Sequence, residues 1–569
     1  MNKWHILAAL AALLAIGILS VYFVTRRIVP PPAQPILTEF APEAVAALTH
    51  APDGELTLVF STNETFLTAP VQISIMASNP HAVIYYTLDG SAPTTASNVY
   101  EGRLQINSIR TAAYGRALVL RAKAVYGSQV SPVLTQTYFF IPNPADRFNT
   151  LVFSISTNPD YLFDHYQGIF VPGAIREAFI RDNPGRDVIP PDPANFNLRG
   201  REAERPGYME VFSPEGERLF SQGTGIRTHG GWSRAQDQKS IRLIARRDYS
   251  PDYGQFHFDF FPWEFASDGT AIDRYDTLIL RNGGNDRYHG IFRHELGSIL
   301  ARNAGFVAVS PVRPAAVFLN GEYYGFAWLQ VRFNDQYLQR LFNTPTRNFD
   351  IVGMGEWWYD TEDARIRQDL YHKNSFAHRD LLDDRVFAEF ESLVDIDNLL
   401  FYYAFQIFMG NEDWPHNNLR RWRYTGPELG LTPETDGRWR YIIFDLDWTL
   451  GLYGDDYTKP TFDRVLGGDE PRSPLLANIL TRPDMQARFT QFMEYIASDV
   501  VNEEIVTETI AFLLSAAQNE VSHAITAGKY PHWFSMDFAR TNHENMIRFA
   551  RYRHVQIFAD LQAYFNHSN

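Results

Sequence analysis

The stretch of residues 411–451 reads NEDWPHNNLRRWRYTGPELGLTPETDGRWRYIIFDLDWTLG and carries polar residues at both ends of a predicted strand pair. It opens with Asp413 and Asn418, five positions apart, and it ends with Asp445 and Asp447 after an apolar run. Two short strands are predicted between them, over 419–424 and 438–444, with an Asp-Gly turn ahead of the second. The sequence therefore predicts a hairpin with carboxylates at both ends.

The order of these polar residues suits phosphoryl transfer. In that chemistry an Asp orients or deprotonates the acceptor hydroxyl, an Asn five residues later binds a metal ion, and a second Asp after a strand pair holds the bridging Mg²⁺. Asp413, Asn418 and Asp445 stand in this order. Because Asp and Asn are also common in turns and at strand ends, the spacing alone leaves a purely structural interpretation open.

The composition indicates a globular protein of several units. The chain has 569 residues, of which 45% are apolar and 14% aromatic. Its net charge of −15 disfavours a nucleic-acid partner, since phosphate binding needs cations. The absence of cysteine excludes disulfides, thiolate nucleophiles and cysteine-based zinc sites, and without an HExxH motif a zinc hydrolase is disfavoured.

The first segment predicts a membrane anchor. Residues 6–24 are predominantly apolar and uncharged, and a helix of that length nearly matches the hydrocarbon thickness of a bilayer. A cleaved signal peptide is the alternative, but no small-x-small site follows the run. We expect an uncleaved anchor over 1–27 and a stiff Pro-rich spacer over 28–55. Lys3 on one side and Arg26 and Arg27 on the other leave the orientation open.

Short alternating runs over 56–140 predict a small all-β sandwich. Its motifs TLDGSAPT (87–94) and LRAKAV (120–125) resemble the immunoglobulin-like module at the C-termini of chitobiases and hexosaminidases. In such modules Asp89-Gly90 forms a hairpin turn, so a structural function for this motif outweighs a ligand-binding one. The resemblance implies a spacer or accessory domain.

The remaining chain, 141–569, is expected to form one α+β domain. A Gly-Gly turn and a polar loop precede Lys239, which is expected to start a strand; such a lysine either neutralises nucleotide phosphates or is solvated in an ordinary hairpin. Residues 291–303 predict a helix, in which Glu295 either serves the helix dipole or pairs with Lys239. A hairpin is predicted over 315–331 and a buried helix over 399–409, and the pattern is helical beyond Pro474.

Several motifs of this part together resemble the CotH kinases, the spore-coat-protein-H family of atypical protein kinases. They are HGGWSRAQDQKSIRL (229–243), RNGGND (281–286), RPAAVFLNGEYYG (313–325), NEDWPHNN (411–418) and WRYIIFDLD (439–447). The resemblance implies a protein kinase that uses ATP and Mg²⁺ or Mn²⁺ and phosphorylates Ser or Thr of a protein substrate. It also fits a bacterial single-pass membrane protein whose bulk lies outside the cytoplasm.

The resemblance assigns a function to individual residues. Asp413 would be the catalytic Asp, Lys239 would contact the nucleotide phosphates, and Asn418, Asp445 and Asp447 would bind metal. Contacts with phosphate or the ordering of loops would fall to Arg234, Arg281 and Asn285. One departure matters: where family members often carry Arg-Glu-Lys, this chain has Gln330-Val331-Arg332. If that Glu pairs with the lysine in relatives, this protein is slow, recruits another acid such as Glu295, or is a pseudokinase.

Two further functions remain as alternatives. The run IIFDLDWTL (442–450) matches the hydrophobic-DxDxT motif of haloacid-dehalogenase phosphatases, in which Asp445 would be the nucleophile. Those enzymes place the motif near the start of an alternating βα domain, whereas mostly helical sequence follows here. The other alternative is a catalytically weak or dead surface protein that uses the kinase-like fold for adhesion or envelope organisation.

Overall fold

A computed structural model of the chain describes residues 40, 48, 55–106, 117–141, 143–353, 376–454, 456–468 and 471–568. The predicted anchor over 6–24 lies outside these residues and stays a prediction. Within the described ranges, no helix is both long enough and apolar enough to cross a membrane.

The N-terminal unit is sandwich-like, as the sequence predicts. Its strands are β1 (Leu58–Phe60), β2 (Val71–Ile73), β3 (Ile75–Ala77), β4 (Val83–Thr87), β5 (Asn98–Val99), β6 (Leu104–Ile106), β7 (Ala117–Tyr126), β8 (Gln129–Val130) and β9 (Leu134–Phe139). They form the pairs β1-β3 and β2-β6 and a larger sheet of order β5-β4-β7-β8, in which β9 also pairs with β7. These sheets enclose an apolar core that includes Ile73, Ile84 and Leu120.

A closed barrel follows, and its closure is not evident from local sequence. Its strands are β10 (Leu151–Thr157), β11 (Arg205–Phe212), β12 (Arg218–His229), β13 (Ser240–Ile244), β16 (Thr277–Arg281), β17 (Val312–Leu319) and β18 (Glu322–Val331). The order β10-β11-β12-β13-β16-β18-β17 is closed by parallel pairing of β10 with β17. A separate small pair consists of β14 (Phe256–His257) and β15 (Arg274–Tyr275). All residues of β10 are buried because one face lines the barrel and the other is covered.

The helices that follow the sandwich share an apolar core with the barrel strands. They are α1 (Pro144–Arg147), α2 (Pro159–Phe163), α3 (Gly173–Asp182), α4 (Arg293–Asn303), α5 (Asp335–Leu341), α6 (Asp384–Leu393), α7 (Ile396–Phe408), α8 (Thr461–Leu466), α9 (Pro474–Ile479), α10 (Pro483–Tyr495), α11 (Glu503–Thr526) and α12 (Met536–Ser568). The predicted α+β class and the helical C-terminal part are confirmed.

Helix α7 is the buried centre of the helical part. The Asp395 side chain caps it by accepting a hydrogen bond from the Asn398 main-chain N–H, and nearly every later side chain of the helix is buried. Beside it lies an antiparallel sheet of β19 (Phe349–Gly353), β20 (Arg420–Tyr424) and β21 (Arg440–Ile442). The helix and this sheet fix the two ends of the segment that carries the polar motif.

The sandwich and the barrel share an apolar core. Phe139 of β9 stacks on Phe66 at 4.6 Å between ring centroids and contacts Phe318 of the barrel edge-on at 5.0 Å. Thr137 donates a 2.5 Å hydrogen bond to the buried Glu210 carboxylate of β11. The Ala117 main-chain N–H donates to the Gly321 carbonyl at the tip of the β17–β18 hairpin. The sandwich is therefore packed against the barrel rather than spaced from it.

Candidate active site

Asp413 and Asn418 lie together in the loop between α7 and β20. The Asn418 side-chain amide donates to Asp413 Oδ2 at 2.9 Å, and Asn417 donates to the same carboxylate at 3.3 Å. The Asn411 side chain accepts from the Asp413 main-chain N–H at 3.2 Å, which fixes the start of the loop. Asn418 has a left-handed backbone, with φ of 55°, a conformation that asparagine tolerates better than most residues. The loop therefore holds the two predicted residues side by side.

Asp445 and Asp447 follow β21 and converge on one arginine. Arg281, the last residue of β16, donates to Asp447 Oδ1 at 2.6 Å and to Asp445 Oδ1 at 3.3 Å. Asp445 also has a left-handed backbone, with φ of 52°, which turns the chain sharply after the strand. The His294 ring accepts from the Leu446 main-chain N–H at 3.2 Å and braces the loop between the two carboxylates. The barrel and the helical part thus meet at this ion cluster.

The carboxylates of the cluster have pKa values above their usual range. Burial raises the pKa of Asp445 to about 7, and the Asp447 carboxylate adds to this effect. Burial also raises the pKa of Asp447, which Arg281 opposes, and the pKa of Asp413. Repulsion from the Asp413 carboxylate contributes to the shift of Asp445. Arg281 alone does not neutralise this group of acids.

The loop 281–286 completes the cluster through its backbone. The Asn285 main-chain N–H donates to Asp447 Oδ2 at 2.8 Å. A Cβ atom on Gly284 would lie 1.9 Å from the same oxygen, and φ at this glycine is 58°, so only glycine lets the loop approach so closely. Asp286 pairs with Arg293 at the start of α4 and accepts from the main-chain N–H groups of Gly290 and Arg293. Sequence reasoning missed Asp286 because its partners lie beyond the motif.

The donor set fits a divalent cation of the magnesium type. Within the described part of the chain, no three His, Cys, Asp or Glu side chains form a complete metal site by themselves. Mg²⁺ needs no such cage, because it is usually bound by one or two carboxylates together with substrate phosphates and water. Asp445, Asp447 and the Asn418 amide offer the hard oxygen ligands that this ion prefers, and the raised pKa of Asp445 indicates a carboxylate that lacks a full positive partner.

Comparison with protein families identifies the part of the chain that carries this site. The family model described as CotH kinase protein matches residues 226–557, which is more than half of the chain and includes Asp413, Asn418, Asp445 and Asp447. The chain belongs to the CotH kinase family. A model of the chitobiase/β-hexosaminidase C-terminal domain matches residues 62–131, within the sandwich-like unit. Both predicted resemblances are confirmed, and the chain is kinase-like at the level of its family. A comparison with curated proteins found no match.

Lys239 of the CotH kinase domain does not reach the carboxylate cluster. It precedes β13 rather than starting it, and its Nζ donates to the Gln236 carbonyl at 2.5 Å and lies 4.8 Å from the centre of the Phe196 ring. Burial lowers the pKa of Lys239 to about 8. A contact between Lys239 and nucleotide phosphates stays a prediction.

The alternative of a Lys239–Glu295 ion pair is wrong. Glu295 Oε1 lies 3.7 Å from the Arg281 guanidinium and accepts from the Gln330 side chain at 3.1 Å. Burial raises the pKa of Glu295 to about 8. Arg281 of β16 is the cation that faces α4. The side chains of Arg281 and Gln330 both lie on the face of the sheet that this helix covers. Val331, the position of the family's acidic residue, is buried in the apolar core.

Arg234 orders the loop before Lys239. Its guanidinium donates to the carbonyls of Gly230 at 2.7 Å and Leu198 at 3.0 Å, and also to that of Phe196. These contacts match an ordering function, while a contact of Arg234 with a nucleotide stays a prediction. Arg281 and Asn285 contact the metal candidate Asp447 directly.

Sequence reasoning missed a second group of cations in the CotH kinase domain. Arg227 of β12 and Arg242 of β13 are paired in register, and Arg242 donates to the His229 ring. The available signal was the alternation in KSIRLI (239–244), where Ser240 and Arg242 alternate with the apolar Ile241 and Leu243.

Proposed function

We propose that this protein is an ATP-dependent protein kinase that transfers the γ-phosphate of ATP to a Ser or Thr hydroxyl of a protein substrate. One observation carries the proposal: the Asp413 carboxylate, which Asn418 holds, lies close enough to Asp445 to repel it. Asp445 and Asp447 are in turn held by Arg281. In phosphoryl transfer these groups have complementary tasks, since one Asp directs the acceptor while the others hold the metal.

Each residue has a task in this proposal. Asp413 accepts the hydrogen bond of the substrate hydroxyl and takes its proton as the bond to the γ-phosphorus forms and the bond from that phosphorus to the bridging oxygen breaks, which releases ADP. Its raised pKa suits a group that must hold a proton. Asn418 orients Asp413 through its amide N–H and leaves its amide oxygen for the ion. Asp445 and Asp447 would hold Mg²⁺ or Mn²⁺, which when bound neutralises charge on the phosphates. Arg281 positions both carboxylates.

The test is phosphorylation by the full-length chain with labelled ATP and Mg²⁺ or Mn²⁺. The parent is compared with Asp413→Asn and with the matched control Asp397→Asn, a surface Asp that pairs with Arg488. We expect label on the parent and on the control and none on Asp413→Asn. Persistent label on Asp413→Asn would contradict the assignment of Asp413, and acid hydrolysis of the labelled protein would identify phosphoserine or phosphothreonine.

A pseudokinase is the second candidate, and the apolar environment of Val331 favours it. Position 331 carries a buried valine and no acidic side chain, so the pair made by the family's lysine and acid is absent in its usual form. This candidate predicts nucleotide binding without transfer. The phosphatase alternative loses its support, because Asp445 follows a strand of an antiparallel sheet and not of a parallel one.

The proposed location of the protein rests on its sequence alone. We propose the anchor over 6–24 and a position of the domain outside the cytoplasm as its setting. Protease added to intact cells would test this arrangement, because only a domain outside the cytoplasm is open to digestion.

A further inference from the structure

An arginine cluster lies on the barrel wall beside the carboxylate site. It consists of Arg227, Arg242, Arg332 and Arg420, together with His229. Arg227 and Arg242 are directly opposite in the β12–β13 register, Arg332 follows β18, and Arg420 begins β20. Arg332 lies close enough to Arg242 and to Arg420 for its charge to lower the pKa of each, so the barrel and the sheet beside α7 contribute cations to one place.

The strand alternation puts Arg242 of this cluster on the same face of the barrel as Arg281. Ile241 and Leu243 are in the apolar core, so Arg242 between them points to the other face. Arg242 is opposite Ile279 in the β13–β16 register, and Arg281 is two residues further along β16 on the same face. Such diagonal neighbours are about 7–8 Å apart, with their Cβ atoms somewhat closer, which is within reach of long side chains. The arginine cluster thus borders the guanidinium that holds Asp445 and Asp447.

Two buried donors of the cluster have no acceptor within the described part of the chain. Arg242 Nη2 lies 2.6 Å from His229 Nδ1; because arginine only donates, His229 accepts there and keeps its proton on Nε2. Arg242 is only 8% exposed, and within the described ranges its Nε and that of Arg227 are buried without an acceptor. Buried donors of this kind destabilise a fold unless a ligand accepts from them.

The charges of the cluster are also unbalanced. Among the described residues, no carboxylate lies within 4 Å of the guanidinium of Arg242, Arg332 or Arg420. Glu204 is 4.0 Å from Arg227 but is shared with Arg246. Burial lowers the pKa of Arg242 to about 9 and that of Arg420 to about 10, and repulsion from Arg332 contributes to both. Arg332 is exposed, which leaves a way in from solvent.

We infer that the arginine cluster binds the phosphate chain of the nucleotide, in place of the single lysine that the family resemblance suggests. This inference rests on the proposed kinase function. A triphosphate carries several negative charges and many acceptor oxygens, which matches several planar guanidinium forks better than it matches one ammonium group. Lys239 immediately precedes Ser240, the first residue of β13. By the alternation of the strand, its side chain points to the opposite face from Ser240 and Arg242.

The experiment measures binding of ATP and of inorganic tripolyphosphate to the full-length chain by titration calorimetry. The variants are Arg242→Gln, Arg332→Gln and Lys239→Gln, with Arg385→Gln on α6 as the matched loss of an exposed surface charge. We expect each cluster variant to weaken both ligands about tenfold or more, the loss of one charge-assisted contact. Lys239→Gln and Arg385→Gln should bind like the parent. Arg242→Lys, which keeps the charge, guards against misfolding and should lose less affinity than Arg242→Gln.

The outcomes separate this inference from the proposed function. Cluster-dependent binding of ATP and tripolyphosphate without phosphoryl transfer would support the arginine cluster and refute the kinase. Transfer with an ATP affinity that Arg242→Gln and Arg332→Gln leave unchanged would overturn the arginine cluster and keep the kinase. A parent that binds neither ligand would overturn the inference, as would a loss of affinity confined to Lys239→Gln.

Discussion

Replacement of Arg281 by Gln should destabilise the protein in a manner that depends on pH and on divalent cations. Its guanidinium contacts Asp447 at 2.6 Å, Asp445 at 3.3 Å and Glu295 at 3.7 Å. Removal of one partner from a buried ion pair costs about 3–5 kcal/mol. Since Asp445, with a pKa of about 7, and Glu295, with a pKa of about 8, are partly protonated at neutral pH, we expect the lower end, about 3 kcal/mol at pH 7.

The sign of the pH dependence follows from the direction of the shifts. Folded-state pKa values of Asp445 and Glu295 lie above those of the unfolded chain, so the folded protein binds more protons between about pH 4 and 8. Stability of the parent is therefore lost as pH rises through this window. Without Arg281 the carboxylates shift further upward, and each additional pKa unit is worth about 1.4 kcal/mol. The variant should lose stability more steeply than the parent.

The assay is urea denaturation followed by tryptophan fluorescence at pH 5.5 and pH 8, with Mg²⁺ or with EDTA. Arg287→Gln is the matched control, because that buried arginine donates to neutral oxygens of Asn282, Gln238 and Lys529. We expect the deficit of Arg281→Gln to shrink at pH 5.5 and in Mg²⁺, while the deficit of Arg287→Gln stays constant. Equal deficits under all four conditions would refute the view that Arg281 balances the charge of a cation site.

Three further predictions concern the metal site, the buried lysine and the shared core. Affinity for Mn²⁺, measured by calorimetry, should fall about tenfold per pH unit below pH 7, because protons compete for Asp445, and should level off above it; a flat profile from pH 5.5 to 8 would contradict this. The pKa of Lys239 is lowered from 10.5 to about 8, so stability of the parent should rise between pH 8 and 10 as the folded protein releases this proton first, and Lys239→Met should remove that part of the rise in melting temperature. Phe139→Ala should cost about 3–5 kcal/mol in urea denaturation, and a much smaller loss would show that the sandwich contributes little to the shared core.

Local chemistry accounts for the parts of the fold that the sequence predicted correctly. The Asn320-Gly321 turn and the Asp395 cap each act within a few residues, so the β17–β18 hairpin and helix α7 could be located from the sequence. The barrel could not be derived in this way, because its closure depends on parallel pairing of Leu151 with Ala315, far apart along the chain. Such pairing leaves no local pattern.

The candidate site also combines features that follow from local sequence with features that depend on long-range strand pairing. The five-residue spacing of Asp413 and Asn418 was read from the sequence, and the structure places both in one loop, in hydrogen-bond contact. The partner of Glu295 was predicted wrongly, since Lys239 and Arg281 are both cations and only the strand alternation decides which one faces α4. A shift of one residue in the start of β13 exchanges the two faces. The pairing of Arg227 with Arg242 required the same register.

The contact of Phe139 and Thr137 with the barrel has a mechanical consequence. A load applied to the chain ahead of residue 55 enters the sandwich first and crosses into strands β10, β11 and β17 through a packed interface, without a slack linker between them. The candidate site therefore keeps a fixed orientation relative to the sandwich. A protein tethered there would sample its surroundings by swivelling as a whole, and the acceptor segments within its reach would be set by the tether and not by motion between the two units.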